Sequence, residues 1–412
     1  MQIFKFGGAS VKDASGVRNL DQIVSDLGNN KLVVVVSAMG KMTNKLEELI
    51  DLSQEGKNYD AILNEVFEFH HTIANDLLGE LPKRYLEFEN SLKECLIKSS
   101  TYDFMRAYDM IIPHGELMST SIIQAFLNKS KSTTWVDART LIRTDQYFTE
   151  ANVDWVVTEK QITKQLRPVV EESIVVTQGF IGSDVEGNST TLGREGSDYS
   201  GAILANCLNA SDFTVWKDVP GILNADPRLL DNTEQFNQLS YREVTEMTYY
   251  GAQIIHPKTL KPLAQKDIPL VVRSFENRDL KGTTISTNNS IKQMPCYVFK
   301  GNQLLITAQV KDHSFMEEKK LSLILNVLDL LNIKINLMQN SALTFSFCID
   351  NKEFKAKRIM ELLNRDFLLS SETGLNLATI KNYRDDSFSQ LPVNRSVILE
   401  QKTMDNYQVV YK

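Results

Sequence analysis

The sequence predicts an α/β fold, a mostly parallel sheet with helices on both faces, followed by a smaller C-terminal unit of different order. Three observations carry this expectation. Apolar runs near 3–6, 32–36, 134–137, 173–177, 213–216 and 270–272 alternate with stretches of helical period. Several runs end in small-residue turns that lead into helix patterns, and open parallel sheets bind ligands beyond the carboxyl ends of their strands. After residue 295 the order becomes strand, helix, strand, strand, helix, strand, the ferredoxin-like split unit.

The bulk properties agree with this layout. A chain of 412 residues exceeds what one hydrophobic core usually supports, so two or three domains are expected. Lys and Arg number 45 against 52 Asp and Glu, and the net charge of -7 argues against broad nucleic-acid binding. Mean hydropathy is -0.23, and the longest apolar runs, such as Leu32 to Val36, are far too short for a membrane span. No secretory or transit pattern precedes the first strand, and Cys95, Cys207, Cys296 and Cys348 lie far apart without metal-ligand spacing. The expectation is a cytoplasmic protein with reduced core thiols, no protein-held metal, no membrane and no nucleic-acid partner.

Taken in order, Ile3-Phe-Lys-Phe reads as a strand that stops at Gly7 and Gly8, with Ser10-Val-Lys-Asp-Ala opening a helix. A lysine at such a strand end can reach nucleotide phosphates as a point charge, although Lys5 alone reads better as an edge lysine. The spacing is not that of a P-loop. Leu32 to Val36 is continuously apolar, as in a strand buried on both faces; it ends in Ser37-Ala-Met-Gly40, and Thr43 opens the next helix. Residues 58–130 keep helical period through Ile62, Val66, Phe69, Ile73 and Leu77, then Tyr85, Phe88 and Leu92. His70 and His71 have no partner at ligand spacing and read as structural. In Pro113-His-Gly-Glu-Leu-Met-Ser119, Glu116 either favours a helix dipole or offers a carboxylate to a ligand ammonium group. Thr134 to Asp137 is a strand, and the polar stretch up to Asn152 a hairpin or flap.

The richest stretch comes next. The strand 173–177 leads through Gly179-Phe-Ile-Gly and Thr190-Thr-Leu-Gly-Arg-Glu-Gly-Ser-Asp-Tyr into a helix pattern at Ala202. Unpaired N–H groups at such a helix start can bind an anion. Gly193 and Gly196 let a ligand approach the backbone, Arg194 offers a planar fork to a carboxylate or phosphate, and Ser197 and Asp198 add a hydroxyl and a negative charge. The plainer reading, a helix capped by Ser and Asp, loses weight because glycine turns recur in this chain. Asp218 follows the strand at 213–216 and suits a metal or a nucleotide; Pro220-Gly221 is a turn, and an irregular loop runs to Arg228. Tyr241 to Tyr250 reads as a helix, broken by Gly251-Ala-Gln-Ile-Ile-His-Pro-Lys258. The stretch 276–295 turns polar and is taken as the boundary between 1–285 and 296–412. Beyond it, strands are expected at 304–310, 334–338, 343–349 and 375–380, helices at 315–331 and 354–363, and two short strands at 396–401 and 408–412.

These motifs, in this order, resemble the aspartate kinases of the amino-acid-kinase superfamily over nearly all of residues 3–285. The segments are Lys5-Phe-Gly-Gly-Ala-Ser-Val, Ser37-Ala, His114-Gly-Glu-Leu-Met-Ser, Gly179-Phe-Ile-Gly with Thr-Thr-Leu-Gly-Arg-Glu-Gly-Ser-Asp-Tyr, Asp218-Val-Pro-Gly with Ala-Asp-Pro-Arg, and Gly251-Ala with His256-Pro. The C-terminal unit looks like the ACT module that such kinases carry for regulation and pairing. The resemblance implies transfer of the ATP γ-phosphoryl group to the side-chain carboxylate of L-aspartate, with Mg2+, as the first step towards lysine, threonine and methionine. It implies that Lys5, Gly7, Gly8 and Ser37 attend the phosphates and that Asp218 and Arg228 attend the nucleotide side. Thr43, Glu116, Arg194 and Ser197 hold aspartate with Phe180 beside it, and Asp198 organises the transfer. A carboxylate is already a nucleophile at neutral pH, so Asp198 is expected to position Lys5 or the metal rather than accept a proton.

The chain departs from the pattern at three places. Gly251-Ala-Gln253 replaces Gly-Ala-Lys, Trp216-Lys217-Asp218 replaces Trp-Thr-Asp, and Ala9 stands where many relatives have Thr. Lys217 or Lys258 is therefore expected to supply the missing cation. Relatives commonly carry two ACT modules, and only one complete unit plus the strands after 396 is visible. Met338-Gln-Asn-Ser341 is at the turn where such modules often bind an amino acid, and it reads equally as an ordinary polar hairpin. A homodimer or higher homo-oligomer with an amino-acid effector follows from the resemblance. The rival expectations are a kinase of the same superfamily for acetylglutamate, glutamate or UMP, and an amino-acid sensor without catalysis.

Overall fold

The computed structural model describes residues 1–28, 31–288, 294–312, 314–392 and 395–412. Part of the polar boundary stretch, including Asn289 and Ser290, therefore lies outside the described residues. The chain divides into two compact units, the first comprising Met1–Ile222, Gln235–Thr245 and Ile254–Ile291.

The chain of the first unit opens with β1 (Gln2–Phe6), α1 (Ala14–Leu27), β2 (Leu32–Val36) and α2 (Met42–Gln54). The region read as helical from the sequence is four helices, α3 (Asp60–Leu78), α4 (Lys83–Ser99), α5 (Phe104–Ile111) and α6 (Pro113–Leu127). Then come β3 (Thr133–Val136), α7 (Trp155–Gln161) passing through a π turn into α8 (Arg167–Glu172), and β4 (Ile174–Gln178). A hairpin of β5 (Ile181–Ser183) and β6 (Ser189–Thr191) precedes α9 (Gly196–Leu208) and β7 (Asp212–Lys217). The rest is β8 (Gln238–Ser240), α10 (Tyr241–Tyr250), whose residues from Glu246 on group with the second unit, α11 (Pro257–Gln265), β9 (Leu270–Ser274) and β10 (Thr283–Ser286).

The main sheet has the order β3-β4-β2-β1-β7-β9-β10-β8. From β3 to β9 every neighbouring pair is parallel, β10 runs antiparallel to β9, and β8 is parallel to β10. The six strands expected from the sequence are its body, and β8 and β10 extend it. Parallel strands lie between helical layers, which is why all five residues of β2 are buried and why β-branched Val fills it. Phe6 stacks on Trp216 at 6.0 Å between ring centroids, tying β1 to β7 inside the core.

Two helix starts differ from the sequence reading. The first helix begins at Ala14 rather than Ser10, because Asp13 caps it by accepting the Gly16 N–H, and residues 7–11 form tight turns instead. The next begins one residue before Thr43. The turns keep the backbone of Gly7 and Gly8 at the carboxyl end of β1, a central strand.

The second unit comprises Leu223–Glu234, Glu246–Gln253 and Lys292–Lys412. It contains β11 (Cys296–Val310), α12 (Glu318–Leu330), β12 (Ile335–Asn340), β13 (Thr344–Asp350), α13 (Glu353–Leu363), β14 (Phe367–Lys381), β15 (Val397–Lys402) and β16 (Asn406–Tyr411). Its sheet, β12-β13-β11-β14-β16-β15, is antiparallel throughout, and the first four strands with α12 and α13 are the expected ferredoxin-like, ACT-type unit. The strands expected at 304–310 and 375–380 are portions of two 15-residue strands. A register shift at Lys300–Gln303 breaks the pattern between their halves, which is why the sequence shows only one half of each. The far half of β11 pairs with the far half of β14, which in turn pairs with β16 of the hairpin β15–β16. Tyr297, Ile380, Tyr407 and Val409 pack with Ala225 on one face of it, and Leu377, Leu399 and Val410 pack on the other.

Candidate active site

The carboxyl ends of β1, β2, β4 and β7 open onto one cleft of about 630 Å³. After β1, Gly8 accepts a hydrogen bond from the Gly40 N–H, which joins the first glycine turn to the turn after β2. A Cβ on Gly8 would lie 2.5 Å from the Ala38 carbonyl oxygen, so only glycine lets these turns meet. Gly7, Gly8, Ser37 and Thr43 all face the cleft from this corner.

The charged centre combines β1, α9 and β7. Lys5 is almost fully buried, and its Nζ sits 2.6 Å from Asp198 Oδ1. Lys217 Nζ lies 3.7 Å from Asp198 Oδ2 and donates a hydrogen bond to the Ile254 carbonyl at 2.9 Å. Burial alone would raise the Asp198 carboxyl, but the two ammonium groups outweigh it and hold the group below the usual carboxylate range. Asp198 is thus held ionised between the two ammonium groups. Two lysines on one carboxylate leave net positive charge at the cleft wall.

Glu116 lies in the first turn of α6, a helix buried continuously from Pro113 to Ile123. Its Oε1 accepts the Ala38 N–H at 3.1 Å, while Oε2 is buried with no partner. Burial pushes the carboxyl up to about 8, against the lowering effects of the Ala38 N–H and Lys5. A buried oxygen without a donor, facing a cleft, is a place where a ligand ammonium group completes the structure.

The opposite wall is built from strained backbone. Thr149, Phe180 and Glu195 line the cleft with φ of 70°, 74° and 54°, a region non-glycine residues rarely adopt. Each is held in place. Thr149 N–H donates to the Asp109 carboxylate, Phe180 N–H to Ser200 Oγ, and Glu195 Oε2 accepts the His256 N–H. Gly193 and Glu195 flank Arg194, whose exposed side chain joins Ser197 at the mouth.

The profile of the amino acid kinase family matches residues 1–274. The chain belongs to that family. Among its relatives, lysine-sensitive aspartokinase 3 of Escherichia coli is 32% identical over 361 residues, covering 84% of this chain and 78% of the relative. A bifunctional aspartokinase/homoserine dehydrogenase of Zea mays is 35% identical over 293 residues, and the chain spans 32% of that longer protein. In three dimensions the chain is similar to E. coli aspartokinase III in complex with aspartate and ADP, with a TM-score of 0.82 and 26% identity over 100% of this chain and 96% of that one. Within the amino acid kinase family it is therefore an aspartokinase homologue.

In this amino acid kinase, Lys5, Gly7, Gly8, Ser37, Thr43, Glu116, Phe180, Arg194, Ser197, Asp198, Lys217 and Asp218 share the cleft. Lys258 does not line it. Arg228 belongs to the second unit and pairs with Asp226, two residues earlier, its side chain 80% exposed. Lys258, at the start of α11, pairs with Glu150 at 2.7 Å. A nearby carboxylate captured each cation, which residue spacing does not show. Of the two expected replacements for the missing lysine, the cleft contains Lys217. Tyr108, on α5, and Thr149 and Glu195, at positive-φ turns, also line it, and the sequence reading gives them no role. Among the described residues no group of three or more His, Cys, Asp or Glu could hold a metal ion.

Proposed function

We propose that the chain transfers the γ-phosphoryl group of ATP to the side-chain carboxylate of L-aspartate, giving 4-phospho-L-aspartate and ADP, the entry to lysine, threonine and methionine synthesis. One observation carries the reading most of all. The buried, unpartnered Oε2 of Glu116 and the doubly paired Asp198 face the same cleft, one suited to an ammonium group and the other surrounded by cations for phosphate. The similarity to E. coli aspartokinase III solved with aspartate and ADP supports both occupants.

In this scheme Glu116 takes the substrate ammonium, and Arg194 with Ser197 and Thr43 takes its α-carboxylate. Phe180, fixed at positive φ, closes the side of the amino-acid site. The glycine turns offer N–H groups to phosphate, and Lys5 and Lys217 offset phosphate charge. The substrate carboxylate oxygen forms a bond to the γ-phosphorus as the bond to the β-phosphate oxygen breaks, and ADP leaves; no proton needs to move. Two like charges about 4 Å apart cost on the order of 4 kcal/mol at an effective dielectric near 20, so the work is charge compensation and alignment. Mg2+, when bound with the nucleotide, supplies further neutralisation, and Asp218, exposed after β7, is the carboxylate that would hold it.

The catalytic part is assigned to residues 1–285, apart from the two segments that group with the second unit, and regulation and pairing to 296–412. The solved E. coli relative in complex with lysine supports an amino-acid effector here, and Met338 to Ser341, exposed at the β12 end, is the assigned position. Titration calorimetry with lysine, threonine and methionine tests this, and no heat with any of them refutes it. A homodimer in the cytoplasm completes the proposal; a monomer by sedimentation, or recovery in a membrane fraction, contradicts it.

The test of the reaction is ADP release with L-aspartate, L-glutamate, N-acetylglutamate and UMP as acceptors. Turnover is expected with L-aspartate and is expected to vanish in Asp198→Ala. Turnover only with another acceptor supports the rival kinase, and aspartate binding without turnover supports the sensor.

A further inference from the structure

Asp109 is fully buried in α5, between Tyr108, which lines the cleft, and Met110, and no step of the proposed reaction uses it. Its Oδ2 accepts the N–H groups of Thr149 and Thr191, both at 2.9 Å, and its Oδ1 accepts Thr191 Oγ1 at 2.6 Å. These donors come from two separate segments. Thr149 is the cleft-lining residue with φ of 70°, a conformation costly for a β-branched side chain unless its surroundings impose it. Thr191 ends β6, three residues before Arg194.

The two segments are also bonded to each other and to the cleft wall. Ala151 N–H donates to the Thr191 carbonyl, and Leu192 N–H donates to the Phe180 carbonyl, both at 2.9 Å. A Cβ on Gly193 would meet Glu150 Cγ at 2.9 Å, so the 149–151 segment lies directly against the turn that presents Arg194. The single carboxylate of Asp109 is the point where these pieces join, and replacing it leaves the buried Thr191 N–H and the half-buried Thr149 N–H without their acceptor.

We propose that Asp109 is the positioning residue for the amino-acid side of the cleft, holding the 149–151 segment and β6 so that Arg194 meets the substrate α-carboxylate. The role rests on the reading of Arg194 given under the proposed function. Phosphate contacts come from other strand ends, so the effect is confined to one substrate.

Steady-state kinetics of Asp109→Ala, Asp109→Asn and Thr191→Val, with hydrogen exchange of peptides spanning 148–152 and 190–195, test this. Asp109→Ala raises the aspartate KM by about tenfold or more and leaves the ATP KM within about twofold. Asp109→Asn recovers most of that loss, because one amide oxygen can accept both N–H groups while its nitrogen donates to Thr191 Oγ1. Thr191→Val, which removes one bond of three and keeps the fold, shifts the aspartate KM in the same direction by about threefold. Both peptides exchange faster in Asp109→Ala. Equal changes in the two KM values, an unchanged aspartate KM in Thr191→Val, or failure of Asn to rescue overturns the assignment. Unchanged exchange overturns it whatever the substrate proves to be, whereas an unsubstituted protein inactive on aspartate but with the expected exchange change refutes the reaction and keeps Asp109 as the joint of the wall.

Discussion

Glu116 makes the sharpest residue-scale prediction because its proton is tied to its ligand. Burial lifts its carboxyl from about 4.5 to about 8, so the folded protein keeps a proton that the unfolded chain loses in that window. The group therefore subtracts stability progressively as pH rises through that interval, the reverse of an ion-paired carboxylate. A substrate ammonium beside Oε2 restores the ionised form, so aspartate binding at pH 7 is expected to release on the order of one proton. Calorimetry in buffers of different ionisation enthalpy reads this directly; a buffer-independent heat, or release that persists in Glu116→Gln, contradicts it. Lys217 gives a second residue-scale outcome. Held by Asp198 and the Ile254 carbonyl, it is the cleft cation proposed to replace the lysine absent at Gln253. Lys217→Ala is expected to raise the ATP KM by roughly three- to tenfold, more than the aspartate KM, and an unchanged ATP KM refutes that role.

At the scale of elements, the site is a set of turns whose geometry only particular residues allow. Gly8→Ala puts a methyl group against the Ala38 carbonyl, and one of the two turns must move; a loss of activity of at least about tenfold with a smaller loss of thermal stability is expected. Equal activity in Gly8→Ala means the joined turns are not a phosphate cradle. The strands of the parallel sheet were legible in the sequence because burial on both faces writes continuous apolar runs, as in Leu32 to Val36. Lys5, Arg194 and Asp198 were legible because glycine turns at strand ends announce them. Thr149 and Glu195 were not, since nothing in their side chains signals positive φ. Asp109 left one trace, an acidic residue in a run of apolar helix, which passes for a solvent-facing position until the partners are known. For Arg228 and Lys258 the charge was visible in the sequence, and their pairing with Asp226 and Glu150 was not.

At the scale of the molecule, the change in element order after residue 295 marks a C-terminal unit in the sequence, and the grouping of earlier segments with it is not visible there. Leu223–Glu234 and Glu246–Gln253 group with the second unit although they precede the polar boundary. Ala225 and Leu230 pack with Tyr297, Ile380 and Leu391, and Glu246 pairs with buried Lys381. A fragment ending at 291 therefore exposes apolar side chains and unpairs a charge, and it is expected to melt lower and aggregate more readily than the whole chain. A fragment as stable as the full protein by calorimetry contradicts that. The claim that unites the three scales is that one cleft holds L-aspartate and ATP and joins them through the substrate's side-chain carboxylate. It is tested most directly by incubating the protein with L-aspartate, ATP, Mg2+ and hydroxylamine and identifying the trapped product. The account predicts the β-hydroxamate of aspartate, formed in step with ADP; ADP formation without any hydroxamate, or a hydroxamate of a different acid alone, contradicts it.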